Sequence, residues 1–303
     1  KFLAGKEFEC DALCDGEDVL IPGIFEHIDP SGIHSGDSIA VFPSFTLTDL
    51  QQNEVLKFVT MLSKELGVHG LMNIQFVLRD GQFWIIEANP RASRTVPIAS
   101  KISGVPMVDI AVGLALGEKL RDMKYGLGIY RQGEKCGVQV PVFSNDKLPG
   151  IDPKLGPRMM STGESLGISE NLADALMDGL RGAGWTPPEH GRILMSVADS
   201  EKSESMPVAS QFISIGWQVD ATTGTAAYLK KWGIIAETVP IGQIVKKLRA
   251  GEWNMVLNIP GGNERHISEG AEIRHSAAMA GVPCLHSMPA AWVVVRALGR
   301  KNN

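Results

Sequence analysis

The chain has 303 residues, 44% of them apolar, and a formal net charge of −5. That length suggests roughly two domains, and the apolar share supports packed cores and excludes a disordered chain. The acidic balance, with a pI near 5.8, argues against bulk nucleic-acid binding, and no apolar run reaches the length of a membrane span.

The N-terminal stretch KFLAGKEFECDAL has no signal-peptide pattern and no initiator Met, so the chain is expected to be a piece of a longer one. EFECDALCDGEDVLIPGIFEHI reads as two strands around an Asp15-Gly16 turn. TLTDLQQNEVLKFVTMLSKELGV reads as a helix, with Thr48 or Asp49 as N-cap, apolar residues at 55, 58, 59, 62 and 66, and Gly67 as C-cap. LMNIQFVL and QFWIIEA, joined by RDG, form a hairpin. VPMVDIAVGLALG is a further helix, with Pro106 near its start and Gly117 at its end. Residues 120–187 are broken by Gly and Pro, close on a helix NLADALMDGLRGAG, and lead into the linker WTPPEHG. From 190 onward five short apolar strands alternate with five amphipathic helices, the grammar of a parallel sheet covered on both faces.

Cys10, Cys14, Cys136 and Cys284 form one C-x3-C pair without a His at ligand spacing. That is poor zinc chemistry and reads as ordinary thiols of a reducing compartment, hence a cytoplasmic chain.

Two stretches carry chemistry. The hairpin ends in Glu87, Asn-Pro and two arginines, Arg91 and Arg94. Side chains two apart on a strand share a face, so Glu87 and Asn89 can point the same way. A three-residue loop (Asp80, Gly81, Gln82) would set Gln75 across from Glu87, and a two-residue loop would break that register. Three oxygen-bearing side chains on one face suit a hard divalent cation, and guanidinium beside it suits phosphate oxygens. By spacing alone, a strand end whose polar residues are merely solvated is an equal alternative. In IFEHIDPSGIHSGDS the Gly pair lets backbone approach a ligand, and His34 can hydrogen-bond a phosphate or nucleotide; His27 reads as a structural histidine.

Together DGEDVLIPGIFEHIDPSGIHSGDS, GLMNIQFVLRDGQFWIIEANPRASRTVPIASKISGVP and LGPRMMSTGES resemble the large chain of carbamoyl phosphate synthetase over nearly all 303 residues. The resemblance implies an α/β and α+β chain in three parts. Residues 1–120 would be the C-terminal part of an ATP-grasp domain, an antiparallel sheet with helices. Residues 121–187 would end that unit and connect it to residues 188–303, a doubly wound, parallel-sheet, methylglyoxal-synthase-like allosteric domain. SRTVPIASK resembles the unit that phosphorylates carbamate, so the implied enzyme is an ATP-dependent ligase of the glutamine-hydrolysing carbamoyl phosphate synthase type. Implied roles are Gln75, Glu87 and Asn89 as Mg2+ or Mn2+ ligands, Arg91 on the phosphoryl groups, His34 beside the ATP phosphates and Glu7 on the ribose. ATP, carbamate or ammonia and a glutamine amidotransferase small subunit are the implied partners, with no nucleic acid and no membrane. The glycine-rich lid would lie upstream of Lys1, so the fragment alone is expected to lack synthetase activity.

In DATTGTAAYL, Thr222, Gly224 and Thr225 can offer hydroxyls and N–H groups to a phosphate at a helix N-terminus, although the pattern by itself favours a plain N-cap. The resemblance implies a nucleotide effector there, with Lys202 at its phosphate. The chain departs from the family in PIGQIVKK, which is shorter and has no lysine at the matching place, in LNIP, where Ile259 stands for a Thr, and in IRH for IRR. Those losses would weaken phosphate binding by about 2–4 kcal/mol, so control by UMP or IMP is expected to be weak or absent. Val140 stands where ornithine-activated members carry an acid, which argues against ornithine activation. The competing readings are another ATP-grasp carboxylase or ligase such as a biotin carboxylase, a non-catalytic effector-binding module, and a methylglyoxal synthase.

Overall fold

The computed structural model describes residues 3–130, 135–144, 152–261 and 264–300. Its strands and helices in chain order begin with β1 (Lys6–Asp15), β2 (Val19–Ile21), β3 (Phe25–His27), β4 (Ala40–Phe42), α1 (Asp49–Glu65), β5 (His69–Arg79), β6 (Gln82–Asn89), α2 (Val96–Ser103) and α3 (Met107–Ala115). They continue with β7 (Gly128–Ile129), β8 (Cys136–Val142), β9 (Gly163–Ser169), α4 (Leu172–Gly182), β10 (Arg192–Val197), α5 (Lys202–Ser214), β11 (Gln218–Thr222) and α6 (Thr223–Lys231). The last are β12 (Glu237–Val239), α7 (Ile241–Arg249), β13 (Met255–Ile259), α8 (Glu264–Met279), β14 (Cys284–Leu285) and α9 (Met288–Arg300). No single helix among the described residues is long and apolar enough to cross a membrane.

By density of contact the chain forms two compact units. One comprises the residues up to Gly32 with Ser38–Val140 and Leu166–Gly179. The other comprises Ile33–Asp37, Pro141–Ser165 and the residues from Leu180 on.

The first sheet is 9-stranded and runs β6-β5-β1-β3-β4-β8-β9, with β2 beside β1 and β7 beside β2. β1 pairs antiparallel with β2, β3 and β5, as do β3 with β4, β4 with β8 and β5 with β6, while β2 and β7 are parallel. β1 explains how the sheet is covered. Its even residues Phe8, Cys10, Ala12 and Cys14 join Val55 and Val59 of α1 and Met72, Ile74 and Phe76 of β5 in one core. On the opposite face Leu13 packs with Phe25, Phe42 and the apolar sides of α2 and α3. Glu7, Glu9 and Asp11 share that second face, because alternate residues of a strand point the same way. The face is therefore apolar at one end and acidic at the other.

α1 begins where the capping signals place it. Thr48 accepts from Gln51 N at 3.3 Å, and the Gln51 side chain accepts from Thr48 N at 3.0 Å. Three features differ from the sequence reading. The strand expected after Asp15-Gly16 is split into β2 and β3 around Pro22-Gly23, since proline has no N–H for a ladder. α2 was not expected, although its Val-Pro start fits a first helical turn. The hairpin loop is two residues long, not three: Arg79 pairs with Gln82, and Asp80 and Gly81 have φ of 51° and 78°, as in a type I′ turn. The register is restored by a bulge. Phe76 pairs with Ile85 and Gln75 with Glu87, leaving Ile86 as the extra residue.

The second sheet is 5-stranded and parallel, in the order β12-β11-β10-β13-β14. Leu194 and Val256 face the apolar sides of α7 and α8, while α5 packs against α9 and β11. This is the doubly wound α/β part that the alternation predicts, and the first sheet is the antiparallel α+β part. Its order reverses between β10 and β13, the place where open α/β sheets form a crevice at the carboxyl ends of their strands.

Candidate active site and effector cavity

The bulge at Ile86 creates the first site. Directly opposed residues in an antiparallel pair share a face. The pairings therefore make two polar rows, Glu9–Gln75–Glu87 and Asp11–Asn73–Asn89. Gln75 Nε2 donates to Glu9 Oε2 at 3.4 Å, and Asn89 Nδ2 donates to Glu87 Oε1 at 2.9 Å. Glu87 is exposed, whereas Gln75 and Asn89 are half-buried. Gln75, Glu87 and Asn89 are thus brought together, as the sequence requires, though through a bulge and not a longer loop. Among the described residues no group of three His, Cys, Asp or Glu is arranged around a metal position. The set here is one carboxylate and two amides, a hard-oxygen donor set that fits a small divalent cation and leaves room for phosphate oxygens.

Glu7 lies on the same face one alternation from Glu9, and its Oε1 accepts from Gly32 N at 3.1 Å. Arg91 follows Asn89 closely: its N–H donates to Asn89 O at 2.8 Å, and its Nη1 to Ala92 O at 3.0 Å. The guanidinium is exposed on the turn that leaves the strand. His34 belongs to the other compact unit. There its N–H donates to Gly156 O at 2.8 Å and its Nδ1 accepts from Gly36 N at 3.1 Å. The same loop is held by Asp37, whose carboxylate accepts from Met160 N and Ser161 N, both at 2.8 Å.

Behind these side chains is a buried polar layer of which the sequence reading picked out only His27. Glu9, Asp11, His27 and Asn73 are each 5% exposed or less. His27 Nε2 is 3.6 Å from Glu9 Oε1, and its Nδ1 is buried without a partner. Burial, the largest influence, pulls the His27 pKa down. Glu9, with Glu7 and Asp29 nearby, overcomes that and holds it above the ordinary value. Burial also pushes the Asp11 carboxyl up to about 6, against the hydrogen bonds from Thr95, Ser93 and Asn73 that favour the ionised form. A usable signal was present: three acids at every second position of one strand cannot all be core.

All four cysteines are free thiols. Burial, ahead of any charge, pushes Cys14 and Cys284 up to about 12, so both stay protonated.

The parallel sheet carries a cavity of about 390 Å³ at its strand ends, where the strand order reverses. Lys202, Thr222, Gly224, Thr225, Asn258 and Ile259 are among the residues that line it. Thr222 Oγ1 donates to Thr225 Oγ1 at 3.2 Å, and Thr225 Oγ1 accepts from Val197 N at 3.1 Å. Thr222 is the N-cap residue of α6 but makes no side-chain cap bond, so the first amides of the helix face the cavity side without it. Lys202 Nζ donates to Asp199 Oδ1 at 2.5 Å, and a Cβ added to Gly224 would stand 3.1 Å from that ammonium. Behind the cavity, Arg274 is fully buried. Its Nε and Nη2 donate to the Asp152 carboxylate at 2.8 and 2.6 Å, and its Nη1 to Asn258 Oδ1 at 2.7 Å. Burial would raise the Asp152 pKa, but the guanidinium's bonds and charge hold it below the usual carboxylate range.

Residues 1–123 match the family model of the carbamoyl-phosphate synthase L chain, ATP binding domain, and residues 204–286 match the MGS-like domain. Carbamoyl phosphate synthase large chain of Clostridium perfringens strain 13 is 44% identical over 91% of this chain and 26% of its own length. That of Thermomicrobium roseum is 41% identical over 98% of this chain and 28% of its own. The chain therefore spans about a quarter of the length of the curated relatives it matches. Among solved structures, the biotin carboxylase subunit of pyruvate carboxylase matches at 16% identity and a TM-score of 0.45, over 58% of this chain and 45% of that one. At that score the likeness does not bear on the site. The two matched domains, and relatives aligned across nearly the whole chain, place it in the carbamoyl phosphate synthase large-chain family, as a segment joining part of the ATP-binding domain to an MGS-like domain.

Proposed function

We propose that the full protein phosphorylates carbamate to carbamoyl phosphate with ATP, and that this segment supplies the nucleotide and metal face for that step. The observation that carries the reading is the bulge at Ile86, which sets Glu87 across from Gln75 and lets Asn89 converge on it. Gln75, Glu87 and Asn89 would hold Mg2+ or Mn2+, which would supply neutralisation of the phosphoryl oxygens and so ease attack at the γ-phosphorus. Arg91 adds a guanidinium on the turn beside those oxygens. A carbamate oxygen forms the new bond to the γ-phosphorus as the bond to the ADP oxygen breaks, and ADP leaves with the electron pair. Positioning and charge neutralisation suffice, with no covalent enzyme intermediate.

In the whole protein a glutamine amidotransferase small subunit supplies ammonia, and residues 1–303 without the rest of the large chain are inactive as a synthetase. In the C-terminal domain Ile259 lines the cavity and the Lys202 ammonium is engaged by Asp199. These features support weak or absent control by UMP or IMP; micromolar UMP affinity in calorimetric titration would contradict that. Val140 is buried in β8 and offers no charge to an ornithine amine.

The test uses the full-length enzyme, assayed for carbamoyl phosphate formed from ATP, bicarbonate and ammonia. Glu87→Gln is expected to lower the rate about 10²–10³-fold, the scale of losing one preorganised electrostatic group. An unchanged rate overturns the assignment.

A further inference from the structure

Asp11 is a buried acid that the reading above leaves without a task. It is 1% exposed in the middle of β1, and burying a carboxylate is unfavourable unless several donors satisfy it. Its donors come from two places. Oδ1 accepts from Asn73 Nδ2 at 3.2 Å, and Oδ2 accepts from the Ser93 hydroxyl at 2.8 Å and the Thr95 hydroxyl at 2.5 Å. Asn73 belongs to the row that ends in Asn89. Ser93 and Thr95 belong to the turn between β6 and α2, on which Arg91 sits. The turn is knotted further: Ser93 Oγ accepts from Thr95 N at 3.0 Å and lies 2.7 Å from Thr95 Oγ1.

Thr95 is the N-cap residue of α2, yet its side chain makes no cap bond. A threonine at that position ordinarily gains about 1 kcal/mol from capping. Here the hydroxyl turns away from the helix and toward a carboxylate two strands from β6. The arrangement gives up local helix stability and gains a fixed connection between the centre of the sheet and the turn.

We propose that Asp11 is a positioning residue of the nucleotide and metal site: it ties the 90–95 turn to the sheet face, and so fixes where Asn89 and Arg91 stand relative to Gln75 and Glu87. The inference rests on the proposed function of that face. Partners that orient a ligating side chain typically matter about 10–100-fold for metal affinity or activity when removed.

The experiment uses the full-length enzyme and three readouts: amide hydrogen exchange of the 90–95 segment without ligands, thermal unfolding, and Mn2+ affinity with ADP measured by electron paramagnetic resonance. Asp11→Asn keeps the shape and removes the charge, and Ser93→Ala removes one donor if Asp11→Asn does not fold. Either variant is expected to speed exchange in the 90–95 segment and to weaken Mn2+ affinity about tenfold or more. Ser93→Thr, which keeps the hydroxyl, is expected to restore both. Glu87→Gln is expected to abolish Mn2+ binding while leaving exchange at 90–95 as in the wild type. If Asp11→Asn or Ser93→Ala lowers only the melting temperature and leaves Mn2+ affinity unchanged, Asp11 is a structural acid and the inference is overturned. If wild-type Mn2+ affinity is insensitive to Glu87→Gln, the site reading itself fails and takes the inference with it.

Discussion

The two sheets present their polar groups in different ways. In the antiparallel sheet the site is made on strand faces: Glu9, Gln75 and Glu87 in one row, Asp11, Asn73 and Asn89 in the next. Each member depends on register, because a slip of one residue sends a side chain to the other face. In the parallel sheet the cavity is made at strand ends, from Thr222 after β11, Asn258 and Ile259 at the end of β13, and Lys202 at the start of α5. Its geometry depends on where strands stop and helices begin. The first kind of site is sensitive to insertions and deletions far along a hairpin. The second is sensitive to what stands behind the strand ends.

The largest expected effect breaks the first kind alone. Deleting Ile85 together with Ile86, both exposed on the edge strand, removes the bulge and one ladder residue, which would pair Gln75 with Ala88 and put Glu87 opposite Phe76. The carboxylate then leaves its row. Synthesis of carbamoyl phosphate by the full-length enzyme should fall at least about 10²–10³-fold, as for Glu87→Gln, while amide hydrogen exchange around the C-terminal cavity is unaffected. Retention of activity would mean that the register of Glu87 opposite Gln75 is dispensable.

The next effect belongs to the second region. Asp152→Ala leaves the Arg274 guanidinium fully buried with Asn258 as its remaining hydrogen-bond partner among the described residues. Stranding a buried charge costs about 3–5 kcal/mol, to be read from denaturant unfolding of the C-terminal domain. A change below about 1 kcal/mol, the size of an exposed pair, would show that solvent reaches the guanidinium.

His286 sharpens the same contrast through pH. Its Nδ1 is sealed without a partner, and burial, then the Arg274 charge, brings its pKa down to about 4, with Asp152 opposing. A folded-state pKa below the unfolded value near 6.5 means that the neutral ring contributes stability above pH 6.5. That contribution is lost as pH falls toward 4. It is at most about 3 kcal/mol, less because the ring is half-buried. Comparing unfolding at pH 7 and pH 4, His286→Gln should lose less stability than the wild type. Equal losses would contradict the assignment.

The smallest effect returns to the first sheet, at a place away from its site. Thr48→Ala removes the α1 capping box and should lower stability by about 1 kcal/mol without changing Mn2+ affinity.

How much was legible follows from the same contrast. The Glu87-x-Asn89 pair shows in the sequence because a strand repeats every two residues. The bulge does not, because Phe83, Trp84, Ile85 and Ile86 are uniformly apolar and nothing marks which is extra. Asp-Gly is itself the signature of a two-residue turn, so the longer loop was inferred from the demanded register and not from the turn residues. Asp11 went unnoticed because Cys10 and Ala12 on either side make the stretch look like an ordinary core strand. The parallel sheet was legible almost entirely, since each short apolar strand is followed by a helix with its own stop signal. The Arg274–Asp152 pair joins residues 122 apart in sequence, and no local pattern announces it.

The most direct test of the central claim is a crystal structure of the full-length enzyme with Mn2+ and ADP, using the anomalous signal of the metal. The account predicts a peak at coordination distance, about 2.1 Å, from the oxygens of Gln75, Glu87 and Asn89, with the ADP phosphates beside it. A peak on other side chains, with Glu87 hydrated and free of metal, would contradict it.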